Sequence, residues 1–72
     1  MTAEIKSPSV GTIVEVLVTA GALVAAGDEL VVVESMKVEI PVPAPCGGRV
    51  ATIAVAPGDH VEAGKLLLTL EG

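Results

Sequence analysis

Aromatic side chains are wholly absent from these 72 residues. A core without Phe, Tyr or Trp must be filled by Val, Leu, Ile, Ala and Met, whose β-branched members favour pleated, half-buried strands. Positive charge is scarce: Lys6, Lys37, Arg49 and Lys65 stand against nine acidic residues, for a net charge of −5. No basic stripe exists to neutralise phosphates, which argues against nucleic acid as a partner. Apolar runs such as Leu30 to Val33 fall far short of the roughly 20 residues a membrane-spanning helix needs. The N-terminus lacks the basic-then-apolar order of a secretory signal. The expectation is therefore a cytoplasmic protein without a membrane partner. A single cysteine, Cys46, cannot close an internal disulfide, which suits a reducing compartment; it reads as a small, partly buried residue. Helical periodicity is missing as well, since no segment of about ten residues or more carries it between turn signals. At this length the chain is expected to form one domain over residues 1–72, near the lower limit for a core without disulfides or metal.

What the chain does have is an internal repeat. Sliding Pro8 onto Pro45 and reading on without a gap brings Gly11 onto Gly48, Val18 onto Val55, Gly21 onto Gly58 and Val24 onto Val61. Ala26, Gly27, Leu30 and Glu34 then meet Ala63, Gly64, Leu67 and Glu71. Glycines kept at equivalent places predict the same turns in both halves. Each half reads as a leading strand (Ala3–Lys6, Val38–Val42), a longer strand (Thr12–Val18, Arg49–Val55) and a turn at Ala20-Gly21 or Pro57-Gly58. A short Val-centred crossing piece follows, then a second turn at Gly27 or Gly64 and a last strand (Glu29–Glu34, Leu66–Glu71).

The predicted fold is all-β. About eight strands form a flattened barrel or two-sheet sandwich, in two pseudo-twofold-related halves that bury their apolar faces against each other. The spacing Pro41, Pro43, Pro45 removes N–H donors along one side of its segment, which marks an edge strand or stiff connector protected from pairing with other chains.

The search for catalytic chemistry is short. His60, beside Asp59, reads as a solvated turn residue, and nothing specifies the third group that would activate a Cys46/His60 pair. Dispersed carboxylates and one histidine do not make a metal site, and the glycines form turns rather than a phosphate cradle. Ser35 lacks an adjacent base and reads as a polar hairpin residue. What remains is Glu34-Ser35-Met36-Lys37-Val38-Glu39-Ile40, the link between the halves. Two strands must reverse near Met36-Lys37, yet the usual turn residues Gly, Asn, Asp and Pro are absent there. Such conflicts between local preference and fold concentrate at functional sites. Lys37 thus projects one amine from a braced hairpin at the junction of the repeat, a placement Lys6 and Lys65 lack. Met36 reads as an apolar gap filler beside the barrel's end, compatible with a recognition role.

At this segment the chain resembles the biotinyl domains of biotin-dependent carboxylases, whose acceptor lysine lies in an Ala/Ser-Met-Lys-Met context after an acidic residue; Glu34-Ser35-Met36-Lys37 matches it. The resemblance extends through Pro8, Gly11, Gly47-Gly48, Pro57-Gly58-Asp59, Val61 and Gly64. Val38 stands where the commonest motif has a second methionine. Ala22 stands where many relatives repeat the Gly-Asp turn, and the run from Val18 to Gly21 lacks the inserted thumb of some bacterial carriers. The resemblance implies the biotinyl/lipoyl hammerhead fold. It implies covalent biotin on Lys37, attached as an amide by a biotin protein ligase, with Glu34, Ser35, Met36 and Val38 as flanks for ligase recognition. It further implies a non-catalytic carrier, monomeric when isolated, that moves carboxyl groups between a biotin carboxylase and a carboxyltransferase. Within the same fold the alternative is a lipoyl carrier of a 2-oxo acid dehydrogenase-type complex, whose acceptor lysine usually follows an acidic residue where this chain has Met36. A third alternative is an unmodified structural interaction module.

Overall fold

Strand-favouring residues between glycine turns assemble as antiparallel ribbons throughout. In the computed structural model, which describes residues 2–72, β1 spans Thr2–Lys6, β2 Gly11–Val16, β3 Leu23–Val24, β4 Glu29–Ser35, β5 Val38–Pro43, β6 Gly48–Ile53, β7 His60–Val61 and β8 Leu66–Glu71. No helix occurs among the described residues. The longer strands start earlier than the alternation predicts, at Gly11 and Gly48, and stop short, at Val16 and Ile53. Their ends are set by departure into a crossing segment, where Leu17 N–H donates to the Leu30 carbonyl at 2.9 Å and Ala54 N–H to that of Leu67 at 2.8 Å.

The repeat survives in the hydrogen bonding. Gly21 N–H donates to Val50 and Gly58 N–H to Ile13, both at 2.7 Å, while Gly27 N–H donates to Ala44 at 2.8 Å and Gly64 N–H to Ser7 at 2.9 Å. All four turn glycines have φ between 87° and 95°, the left-handed region where a Cβ is disfavoured. In each bond the donor and acceptor belong to different halves, so the halves interlock. The two sheets show the same exchange: one is ordered β1-β8-β6-β3 and the other β5-β4-β2-β7, each with two strands from either half.

Between the sheets lies an aliphatic core that includes Ile13, Leu30, Val31, Val33, Val50, Leu67, Leu68 and Leu70, all at most 1% exposed. Burying one such side chain contributes about 2 kcal/mol. Leu30 and Val31 are neighbours yet both buried, as are Leu67 and Leu68. Register shifts between Glu29 and Val31 and between Ile5 and Lys6 break the strict alternation there, as a bulge does. No buried side-chain polar atom among the described residues lacks a partner. Pro41 and Pro43 lie in β5, the edge strand of its sheet, in the protective position their spacing predicts.

Short connectors set the two ends of a molecule measuring 33 × 19 × 18 Å. From the β4–β5 hairpin, β5 runs to Pro43, and residues 44–47 then deliver the chain to Gly48, whose neighbour Arg49 pairs with Glu71. Thr2 also pairs with Glu71. The chain ends therefore lie together at one end of the barrel and the hairpin closes the other.

Candidate functional site

Ser35 and Val38 form the last pair of the β4–β5 ladder, leaving Met36 and Lys37 as a two-residue loop. A two-residue loop matches the right-handed strand twist best when both residues take positive φ, which is why Asn-Gly is its usual occupant. Met36 has φ 51° and Lys37 φ 65°. They are the only non-glycine residues with positive φ among those described, and each costs roughly 1–2 kcal/mol in the left-handed region. The missing turn chemistry is thus resolved by strain in two ordinary side chains. Asn tolerates this region far better, so Met36→Asn is expected to stabilise the fold by about 1 kcal/mol, read as a raised denaturation midpoint with an unchanged slope. A midpoint at or below that of the parent chain would count against a strained turn.

Strand geometry decides what surrounds the lysine. Met36 is 93% exposed and Val38 60% exposed, so Met36 does not fill a gap at the barrel's end; the turn throws its thioether outward. Glu34 and Lys37 are exposed and Ser35 is half-buried. Lys37 has no hydrogen-bond or ion-pair partner among the described residues, whereas Lys6 pairs with Glu4 at 3.7 Å. The site is a free primary amine on a raised, stiffened tip, with an apolar side chain on either flank.

One feature of this tip escapes the sequence reading. Glu34 pairs with Glu39 directly across the ladder, and both are exposed. Like charges facing one another across a ribbon are destabilising. The signal was available in the two-residue loop, which makes residues equally spaced from it into partners.

The remaining candidates lie elsewhere or apart. His60 is exposed in β7 opposite Thr12, a strand position and not the turn expected for it. Cys46 is exposed rather than partly buried, because the 44–47 connector buries Ala44 and leaves residues 45–47 at the surface. The fold therefore does not bring Cys46 and His60 together. No group of three or more His, Cys, Asp or Glu able to hold a metal ion occurs among the described residues.

A family model described as "Biotin-requiring enzyme", covering biotin and lipoyl attachment domains, matches residues 3–70. The chain belongs to the biotin/lipoyl family. Among its relatives is the biotinylated protein TB7.3 homolog of Mycobacterium leprae, 39% identical over 70 residues, which span 97% of this chain and 99% of that protein. The dihydrolipoyllysine-residue acetyltransferase component of the pyruvate dehydrogenase complex of Cupriavidus necator is 43% identical over 76 residues, covering 99% of this chain and 14% of that one. Among solved structures, the Kluyveromyces lactis urea carboxylase superposes with a TM-score of 0.93 at 32% identity, over 99% of this chain and 6% of that one. The chain thus corresponds to a small part of the large members and to nearly all of the small one. The two interlocked four-stranded sheets are the biotinyl/lipoyl frame.

The residues present suit the covalent attachment the family implies. An acyl group on Lys37 would displace no existing contact of that amine, because it has none among the described residues. A two-residue turn also holds the Lys37 backbone close to the rigid β4–β5 ladder.

Proposed function

We propose that this domain is a biotin carboxyl carrier, with Lys37 as its attachment residue. The observation that carries the reading is the Met36-Lys37 turn: an unpaired amine presented in a strained conformation, preceded by an exposed methionine. The Mycobacterium leprae relative, 99% of whose own length is matched, is named as a biotinylated protein, which supports biotin. In this reading a biotin protein ligase uses ATP to convert the biotin carboxylate into an acyl-adenylate, releasing pyrophosphate, and the Lys37 amine then displaces AMP to form the amide. Amide formation takes a proton from the Lys37 nitrogen, and the ligase supplies the base that removes it. Met36 and Val38, with Glu34 and Ser35 at the base of the turn, offer the ligase its recognition surface.

Biotin, once attached, supplies the chemistry of carrying a carboxyl group. The chain's own part is mechanical. It tethers, it keeps the attachment point rigid, and its acidic surface keeps it soluble while it visits partners. Catalysis belongs to those partners, a biotin carboxylase that loads the arm and a carboxyltransferase that unloads it. Tethering makes both encounters effectively intramolecular.

A second reading, lipoate on the same lysine, draws on the Cupriavidus necator relative, whose identity of 43% is the higher of the two. The deciding experiment is intact mass after incubation with ATP and either biotin plus a biotin protein ligase or lipoate plus a lipoate ligase. A biotin-sized increment in the first arm and little or none in the second is expected. An increment with lipoate alone would replace the reading by the lipoyl one, and no increment in either arm would sink both.

A further inference from the structure

The lysine end of the barrel carries a chain of hydroxyl groups that its pseudo-twofold mate lacks. Ser7 is a buried polar side chain, only 4% exposed, and its Oγ–H donates to the Ser9 carbonyl at 2.6 Å. Ser9 Oγ–H is shared between the Val10 carbonyl at 3.2 Å and Ser35 Oγ at 3.4 Å, and Ser35 belongs to the pair that closes the Met36-Lys37 turn. The offset of the repeat places Ala44 on Ser7, Cys46 on Ser9 and Gly72 on Ser35. Ala44 is buried to the same degree, 3% exposed, and makes the same backbone bonds. Its N–H donates to Asp28 at 2.8 Å as that of Ser7 donates to Lys65 at 2.9 Å.

A methyl group therefore satisfies the packing at this niche. A hydroxyl is tolerated in the same niche because it is hydrogen-bonded, and its bond to the Ser9 carbonyl ties the niche to the connector 7–10, a tie the methyl of Ala44 cannot make. What this end has and the other lacks is the left-handed Met36-Lys37 turn. Strained residues persist only where the surroundings over-determine them. The serine chain reaches that turn from outside the hairpin, through the connector 7–10.

We propose that Ser9 is a positioning residue for the modification of Lys37: held in place by Ser7, it holds Ser35, so that the turn is set before the modifying enzyme arrives. This rests on Lys37 being the attachment residue. A protein whose competent conformation is only partly populated binds more weakly in proportion to that fraction. Losing the brace thus raises KM for the carrier domain and leaves kcat unchanged.

The test is Ser9→Ala, with Ser9→Thr as the conservative variant that restores the hydroxyl. Ser7→Ala is the second route to the same brace, since it recreates the packing seen at Ala44. For Ser9→Ala the ligase KM is expected to rise about threefold, with kcat at the parent value and with Ser9→Thr close to the parent. Amide hydrogen exchange is expected to speed up at residues 36–38 and stay unchanged in β8. Parent-like KM together with parent-like exchange at the hairpin would overturn the proposal, as would equal losses in Ser9→Ala and Ser9→Thr. Should the parent chain itself accept no cofactor, the carrier reading fails. The exchange measurement then decides independently whether the brace exists.

Discussion

Lys37→Arg is expected to abolish cofactor attachment, leaving intact mass unchanged under conditions that modify the parent chain fully. Arginine preserves the positive charge, the unbranched stem and the ability to sit at the same backbone angles. Lys37 has no partner among the described residues, so the substitution breaks no observed contact. Surface substitutions of this kind change stability by about 0.5 kcal/mol or less. The guanidinium is charged at every accessible pH and is a poor nucleophile, so no amide forms with the activated acyl group. Loss of labelling with an unshifted thermal midpoint separates chemistry from folding. Residual labelling of Lys37→Arg at the parent rate would move the attachment to Lys6, Lys65 or the N-terminal amine.

Much of this architecture is legible in the residues because turns and strands are local matters. Gly21, Gly27, Gly58 and Gly64 mark the turns since only glycine adopts those angles without strain, and runs such as Leu66–Glu71 alternate or cluster as half-buried strands do. The interlocking of the halves is not legible. The same repeat offset would arise if each half made its own sheet, and only long-range bonds such as Gly27 N–H to Ala44 distinguish the two arrangements.

At the site, the position of the hairpin follows from the repeat, and its misfit with ordinary turn chemistry already singles out Met36-Lys37. The directions of individual side chains do not follow. Cysteine and methionine are usually buried, and that general tendency fails for Cys46 and Met36 because a connector and a primed turn send them outward. The face-to-face placement of Glu34 and Glu39 does follow once Met36-Lys37 is taken as a two-residue loop, because residues equally spaced from it become partners.

Gly11→Ala is expected to be the most damaging small substitution on the lysine-bearing side, costing on the order of 3 kcal/mol. Its backbone needs no left-handed angle, so the argument is purely one of space. A Cβ on Gly11 would collide with the Glu34 carbonyl oxygen and lie 2.9 Å from Val33 Cγ1. Glu34 and Val33 belong to β4, paired on one side with β2 and on the other with β5, so neither can move without disturbing both ladders. A domain this small has a stability of roughly 5 kcal/mol, and the loss would leave a measurable fraction unfolded at room temperature. The repeat supplies the control. A Cβ on Gly48 would lie 2.7 Å from the Glu71 carbonyl oxygen and 3.5 Å from Gly72 Cα, a single close approach where Gly11 would meet two. Gly48→Ala should therefore cost less, about 1 kcal/mol. Urea midpoints of the two variants test the difference: equal midpoints would show that the β4 strand beneath the lysine turn yields to the added methyl as readily as β8 does. Because the turn is strained, a yielding β4 would also let Met36 and Lys37 relax, so the same measurement bears on whether the amine is presented on a rigid tip.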